Sequence, residues 1–217
     1  MPVYGKDENN LCVQAYHLLK KDFAVLAAVK MHLHKVIPLG AGLGGGSADG
    51  AFTLQLLNDK FHLGLSVQQL IGYATELGSD CPFFIINKPC IAGGRGEVLE
   101  EINLDLSGWY IALINPGIHI NTSFAFSKIL PSLPDTSIKE IIHLAPEFWK
   151  DKLVNDFEQP VFEDYPEIRQ IKENLYQQGA AYAAMSGSGS TVFGIFYSAA
   201  APVLNLPSHY FYTFLPL

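Results

Sequence analysis

Three stretches of the chain carry residue types whose spacing can do chemistry. Residues 38–50 read PLGAGLGGGSADG, with six glycines between Gly40 and Gly50 and a hydroxyl at Ser47. Glycine reaches positive φ without a Cβ clash, so successive backbone N–H groups can turn into one concavity that holds an anion. The apolar run from Ala51 to Leu57 reads as a helix. Its unpaired first-turn amides and partial positive charge add to the same site, which makes the loop a phosphate cradle. The second stretch, LGSDCPFF over residues 77–84, sets the carboxylate of Asp80 ahead of an apolar segment. The third, MSGSGST over residues 185–191, is a serine–glycine turn between apolar runs. Its small side chains and freed amides either close over a phosphate or form an ordinary hairpin turn.

Other glycine loops fit less well. A Walker A loop needs Lys and Ser or Thr directly after its last glycine, and here Gly46 is followed by Ser47 and Ala48. Gly40, Gly42 and Gly45 have dinucleotide-fingerprint spacing, but no strand ending in an acidic residue follows the helix. A flexible linker would be polar and would not sit between a patterned strand and a patterned helix. The strand is residues 28–37, AVKMHLHKVI, where Val29, Met31 and Leu33 alternate with Lys30, His32 and His34. Lys35 closes that strand and offers a point charge to a nucleotide, the alternative being a solvated edge lysine. His32 and His34 fall on its polar face and read as solvated, and no structural metal site stands out.

The rest of the chain supplies the positioning elements. Asn10 caps a helix carrying Leu11, Ala15, Leu18 and Leu19, and the helix after the glycine loop runs to about Asn58. A further helix spans about Ser66 to Glu76 and stops at Gly78, a position suited to a left-handed cap. Residues 81–86 read as a buried strand with Asp80 at its mouth, and residues 92–100 as a hairpin. Strands follow at Trp109–Ile114 and on both sides of the 185–191 turn, with helices from Asn121 or Thr122 and over about Pro166 to Gln178. Residues 130–150, rich in proline, read as an inserted segment.

Composition sets the class. With 217 residues, 49% hydrophobic and 16% charged, the chain has enough apolar material for a real core. A net charge of −7 argues against nucleic acid or a membrane surface as partner, but not against a small anionic substrate met by local amides. Cys12, Cys81 and Cys90 are odd in number and lack metal-ligand spacing, and no apolar run has transmembrane length. The expectation is a cytoplasmic protein.

Taken in order, the three stretches resemble the GHMP small-molecule kinases. The runs GLGGGS at 42–47 and GSDCPFF at 78–84, with ENNL at 8–11 and NDFE at 155–158, are most similar to the branch acting on a cytidine diphosphate-linked sugar alcohol in non-mevalonate isoprenoid synthesis. The resemblance implies an α+β, two-lobe fold. A ribosomal protein S5 domain 2-like N-terminal lobe that binds ATP would occupy residues 1–105, and a ferredoxin-like C-terminal lobe residues 106–217. It implies ATP and Mg²⁺ as cofactors, a small-molecule acceptor, and a monomer or homodimer.

Residue by residue, the resemblance makes Asp80 the catalytic base or orienter of the attacking hydroxyl, against the reading of a plain capping aspartate. Pro38, Gly40, Ala41, Gly42, Leu43, Gly44, Gly45, Gly46 and Ser47 hold ATP with Lys35 and with Asn10 near the adenine, and Ser47 is a candidate Mg²⁺ contact. Thr122 and Phe126 line the cytidine side with Gly187, Ser188 and Gly189, unless Phe126 is plain core. Strands that carry the family's lysine partner of the aspartate, and an aromatic and a histidine for the cytosine, have no counterpart in this chain. The sequence therefore reads as starting at an internal methionine or as a truncated form. Another GHMP alcohol kinase and a catalytically silent nucleotide-binding fragment are the competing readings.

Overall fold

The computed structural model describes residues 7–129 and 136–217. The start of the polar N-terminal stretch (1–6) and residues 130–135 of the proline-rich segment lie outside them. The chain divides into two compact units: the described part of residues 1–39 with Gly44–Asn103, and Gly40–Leu43 with Leu104–Leu217.

The first unit is mainly helical. α1 (Leu11–Asp22) is capped by the Asn10 side chain, which accepts from the Cys12 N–H at 2.9 Å. α2 (Gly45–Phe61) runs one turn further than its apolar residues suggested. It buries Ala51, Leu54 and Leu57, at the three-to-four-residue spacing that gathers a helix's apolar side chains on one face. A Cβ on Gly50 would stand 3.0 Å from Leu11 Cβ, so the glycine lets α1 and α2 pack closely. α3 (Val67–Leu77) opens with a capping box between Ser66 and Gln69. Gly78 ends it at φ 168°, in extended rather than left-handed backbone, which corrects the expected cap.

Two strand expectations fail in this unit. Residues 81–86 are a helix, α4 (Cys81–Ile86), with Pro82 near its start, where a missing N–H costs nothing and the fixed φ suits the turn. A short apolar run lacks the period that separates a buried strand from a buried helix. Residues 28–37 pair with no described strand. Alternation names the face a segment would bury, whereas a strand also needs a ladder partner. Val29, Met31 and Leu33 instead line a cavity of about 480 Å³ opposite Phe52 and Leu56 of α2. The expected hairpin is present as β1 (Cys90–Gly93) and β2 (Val98–Glu101).

The second unit is built on an antiparallel sheet of β3 (Tyr110–Asn115), β4 (Tyr182–Met185), β5 (Val192–Phe196) and β6 (Phe211–Pro216), in the order β4-β5-β3-β6. Ala183 and Met185 join one buried cluster, while Tyr182 and Ala184 join another with Trp149 and Ile195. Successive residues of a strand face opposite ways, and both faces of this one are covered, hence its unbroken apolar sequence. Helices α5 (Thr122–Ser127), α6 (Ile138–Ile142), α7 (Glu158–Asp164) and α8 (Pro166–Gln177) accompany the sheet. Ile168, Ile171 and Leu175 of α8 lie in the first cluster, and Leu175 comes close enough to β5 that a Cβ on Gly194 would sit 3.2 Å from it.

Glu158 is the charged group held deepest here, 6% exposed, with Lys172 Nζ 2.5 Å from its carboxylate. Replacing Lys172 by methionine leaves that carboxylate buried without its cation. The expected result is a loss of about 1–3 kcal/mol, below the full buried-pair penalty because Lys172 is partly solvated. Thermal unfolding of the variant reads it directly. Among the described residues no helix is long and apolar enough to cross a membrane.

Candidate functional site

In the first unit the site forms where α2 begins. Gly44 occupies the N-cap in left-handed backbone (φ 64°), and among the described residues no side chain caps the first-turn amides. Left-handed geometry and close packing both demand glycine there, since a Cβ would stand 2.8 Å from the Phe84 ring. Over Gly46 a Cβ would meet nothing within 4 Å. The start of this 17-residue helix carries about half a positive charge.

Ser47 lies on that first turn, near enough the buried Cys81 thiol of α4 to bear on its titration. Burial pushes this thiol above its ordinary value, the Ser47 contact lowers it, and neighbouring Asp80 adds to the rise. The sulfur is therefore a neutral neighbour and not a nucleophile. The helix α4, whose N-cap is Asp80, packs on α2 through Phe84, whose ring stands against Gly44 and Phe52. Asp80 is exposed and takes the N-cap position of α4 without making a cap bond, and a Cβ on Gly96 of the hairpin turn would be 3.3 Å from its Oδ1. Among the described residues nothing forms a hydrogen bond or ion pair with its carboxylate.

Lys35 is buried and ion-paired with Asp49, and its ammonium also lies 3.3 Å from the Gly45 carbonyl. It stands beside the loop with its charge matched, not as a solvated edge lysine. Asn10 spends its side-chain oxygen on the α1 cap.

In the second unit the Gly40–Leu43 half of the loop rests on the serine–glycine turn. Ser186 Oγ donates to the Gly42 carbonyl at 2.8 Å, and the Thr191 N–H donates to the Ala41 carbonyl at 3.1 Å. The turn is a hairpin turn, flanked by β4 and β5, and its residues bind the loop backbone. Ser188 Oγ lies 3.5 Å from Thr122 Oγ1. Phe126 is 62% exposed, edge-on to Phe157 with ring centres 4.8 Å apart, so it is not plain core.

Sequence reasoning passed over the residues that hold this turn. Asn115 donates to Ser190 Oγ and Thr191 Oγ1 at 3.2 and 3.0 Å, and Ser190 Oγ donates to the Ile118 carbonyl at 2.6 Å. Asn115 is buried at the end of an apolar strand, directly before Pro116 and Gly117. A lone carboxamide in such a run was the available signal, because a buried amide must be bonded.

Two family matches cover most of the chain: the GHMP kinases N terminal domain over residues 10–88 and the GHMP kinases C terminal domain over residues 129–206. The 4-diphosphocytidyl-2-C-methyl-D-erythritol kinase of Azobacteroides pseudotrichonymphae is 50% identical over 214 residues, 97% of this chain and 80% of the relative. The kinase of the same name from Bacteroides fragilis is 51% identical over 196 residues, 90% and 71% of the two chains. Among solved structures, a 4-(cytidine 5'-diphospho)-2C-methyl-D-erythritol kinase superposes with a TM-score of 0.74 at 30% identity, over 89% of this chain and 70% of that one. A homoserine kinase from Cytophaga hutchinsonii, at 16% identity and a TM-score of 0.68 over 91% and 69% of the two chains, shares the fold. With both GHMP kinase domains matched and about half of its residues identical to these relatives, the chain belongs to the GHMP kinases, in the family of the 4-diphosphocytidyl-2-C-methyl-D-erythritol kinases.

Proposed function

We propose that this chain transfers the γ-phosphoryl group of ATP to the 2-hydroxyl of 4-diphosphocytidyl-2-C-methyl-D-erythritol. The observation that carries the reading is the packing of α4 on α2 through Phe84, which puts the helix whose N-cap is Asp80 against the glycine-headed start of α2. Phosphoryl transfer asks for positioning and charge stabilisation more than for covalent chemistry by the protein.

Gly40 to Ser47 hold the ATP phosphates through backbone amides and the helix N-terminus. Asp80 accepts the proton of the attacking hydroxyl as its oxygen bonds to the γ-phosphorus and the bond to ADP breaks. Lys35 holds the base of the loop through Asp49 and the Gly45 carbonyl. Asn10 lies on the adenine side. Mg²⁺ takes one or two protein oxygens besides phosphates and water, and the half-buried Ser47 hydroxyl is such an oxygen. The metal supplies charge neutralisation at the phosphates. Thr122, Phe126 and Gly187–Gly189 face the cytidine portion, with the exposed Phe126 ring as a stacking surface. In this reading residues 1–105 are the ATP-binding lobe and residues 106–217 the second lobe of a cytoplasmic enzyme, monomer or homodimer.

ATP-dependent formation of ADP and the phosphorylated alcohol, followed by phosphorus NMR, tests the reaction. Binding of ATP without any turnover would favour a silent nucleotide-binding module. Phe126→Ala should raise KM for the alcohol about 5- to 100-fold, the worth of one base–aromatic stack, with kcat nearly unchanged. An unchanged KM would remove Phe126 from the cytidine site.

A further inference from the structure

The sequence run NDFE at 155–158 has no part in the chemistry above, yet its two polar ends converge on one short piece of backbone. Asn155 Nδ2 donates to the Met185 and Gly187 carbonyls, both at 2.8 Å, and its Oδ1 accepts from the Phe157 N–H at 3.0 Å. Both amide hydrogens and the carbonyl oxygen are thereby used. Glu158 Oε1 accepts from the Met185 N–H at 2.8 Å, while its other oxygen meets Lys172. Side chains thus bind the backbone where the β4–β5 ladder ends, Met185 opposite Val192 being its last pair.

The residue caught between these bonds is Ser186, whose hydroxyl donates to the Gly42 carbonyl. There is little slack in that contact. A Cβ on Gly42 would lie 2.3 Å from the Ser186 carbonyl oxygen and 2.7 Å from that of Gly189. Rotation of the 185–187 backbone would carry the Ser186 hydroxyl off the loop, and the Asn155 and Glu158 bonds prevent such rotation.

We infer that Asn155 and Glu158 are positioning residues for the nucleotide loop, acting through Ser186 on Gly42. Neither touches the nucleotide. They hold Gly40–Leu43 in the conformation that leads into the phosphate-binding amides, and this rests on the reading of that loop as an ATP site.

A double-mutant cycle on equilibrium binding of MgATP, without the alcohol, tests it. Asn155→Ala and Ser186→Ala should each weaken binding about tenfold, and the double variant should be no more than about threefold worse than either single one. A purely structural Asn155 would give multiplicative losses, which would overturn the inference. Should Asn155→Ala fold poorly, Asn155→Asp keeps the volume and the Phe157 cap while removing both donors. Amide hydrogen exchange at Thr191, whose N–H is bonded to Ala41, gives a reading independent of ligand. It should accelerate in both single variants, and unchanged exchange would also overturn the clamp. Failure of the unmodified chain to bind MgATP, with Thr191 exchange still accelerated, would refute the nucleotide reading and not the clamp on the loop.

Discussion

Asp80→Ala should lower kcat by about 10²- to 10⁴-fold, the range of a positioned general base, while MgATP affinity changes less than about threefold. The variant should remain folded. An N-cap aspartate replaced by alanine commonly costs about 1 kcal/mol through its lost cap bond. The Asp80 side chain makes no such bond, and it is exposed. Activity and stability therefore separate at this position, unlike at a capping aspartate. Steady-state kinetics with thermal unfolding on the same preparation reads both. An undiminished rate would end the assignment of Asp80 as base, and a fall in melting temperature with kcat intact would return it to a capping role.

The second large effect belongs to Gly42→Ala. Gly42 has φ 76°, and its missing Cβ would stand 2.3 and 2.7 Å from the backbone oxygens of Ser186 and Gly189. Backbone atoms cannot swing aside as the end of a long side chain can. Left-handed strain and overpacking together should cost about 2–5 kcal/mol. For a chain of this size that is a fall in Tm of roughly 5–15 °C, with loss of MgATP binding. Gly46→Ala is the matched control, since a Cβ there meets nothing within 4 Å inside a helix. Its Tm should hold or rise slightly, because alanine favours the helix by up to about 1 kcal/mol. Equal losses in the two variants would show that the steric reading of Gly42 is wrong.

Local chemistry made much of this protein legible. Ser66 with Gln69, Asn10 ahead of Leu11 and Asn121 ahead of Thr122 mark helix starts whose caps the structure contains. Capping depends on residues within three positions of one another, so a sequence displays it directly. The glycine loop was legible for the same reason: Gly40, Gly42 and Gly44 all adopt positive φ. Cys81–Ile86 was not, because six apolar residues carry no period that distinguishes strand from helix. Nor was the fate of residues 28–37, which depends on a ladder partner elsewhere.

By itself the sequence determined the helix starts set by caps and the glycine loop, and it singled out Asp80 as the candidate base. Only the tertiary structure decided that α4, with Asp80 at its N-cap, packs on α2, that Asp49 matches the Lys35 charge, and that Asn115, Asn155 and Glu158 grip the turn on which Gly42 rests. The physical reason is separation along the chain. Asn155 and Met185 are 30 positions apart, and Gly42 and Ser186 are 144 apart. Hydrogen bonds at that range are selected by the packing that brings two distant backbones together.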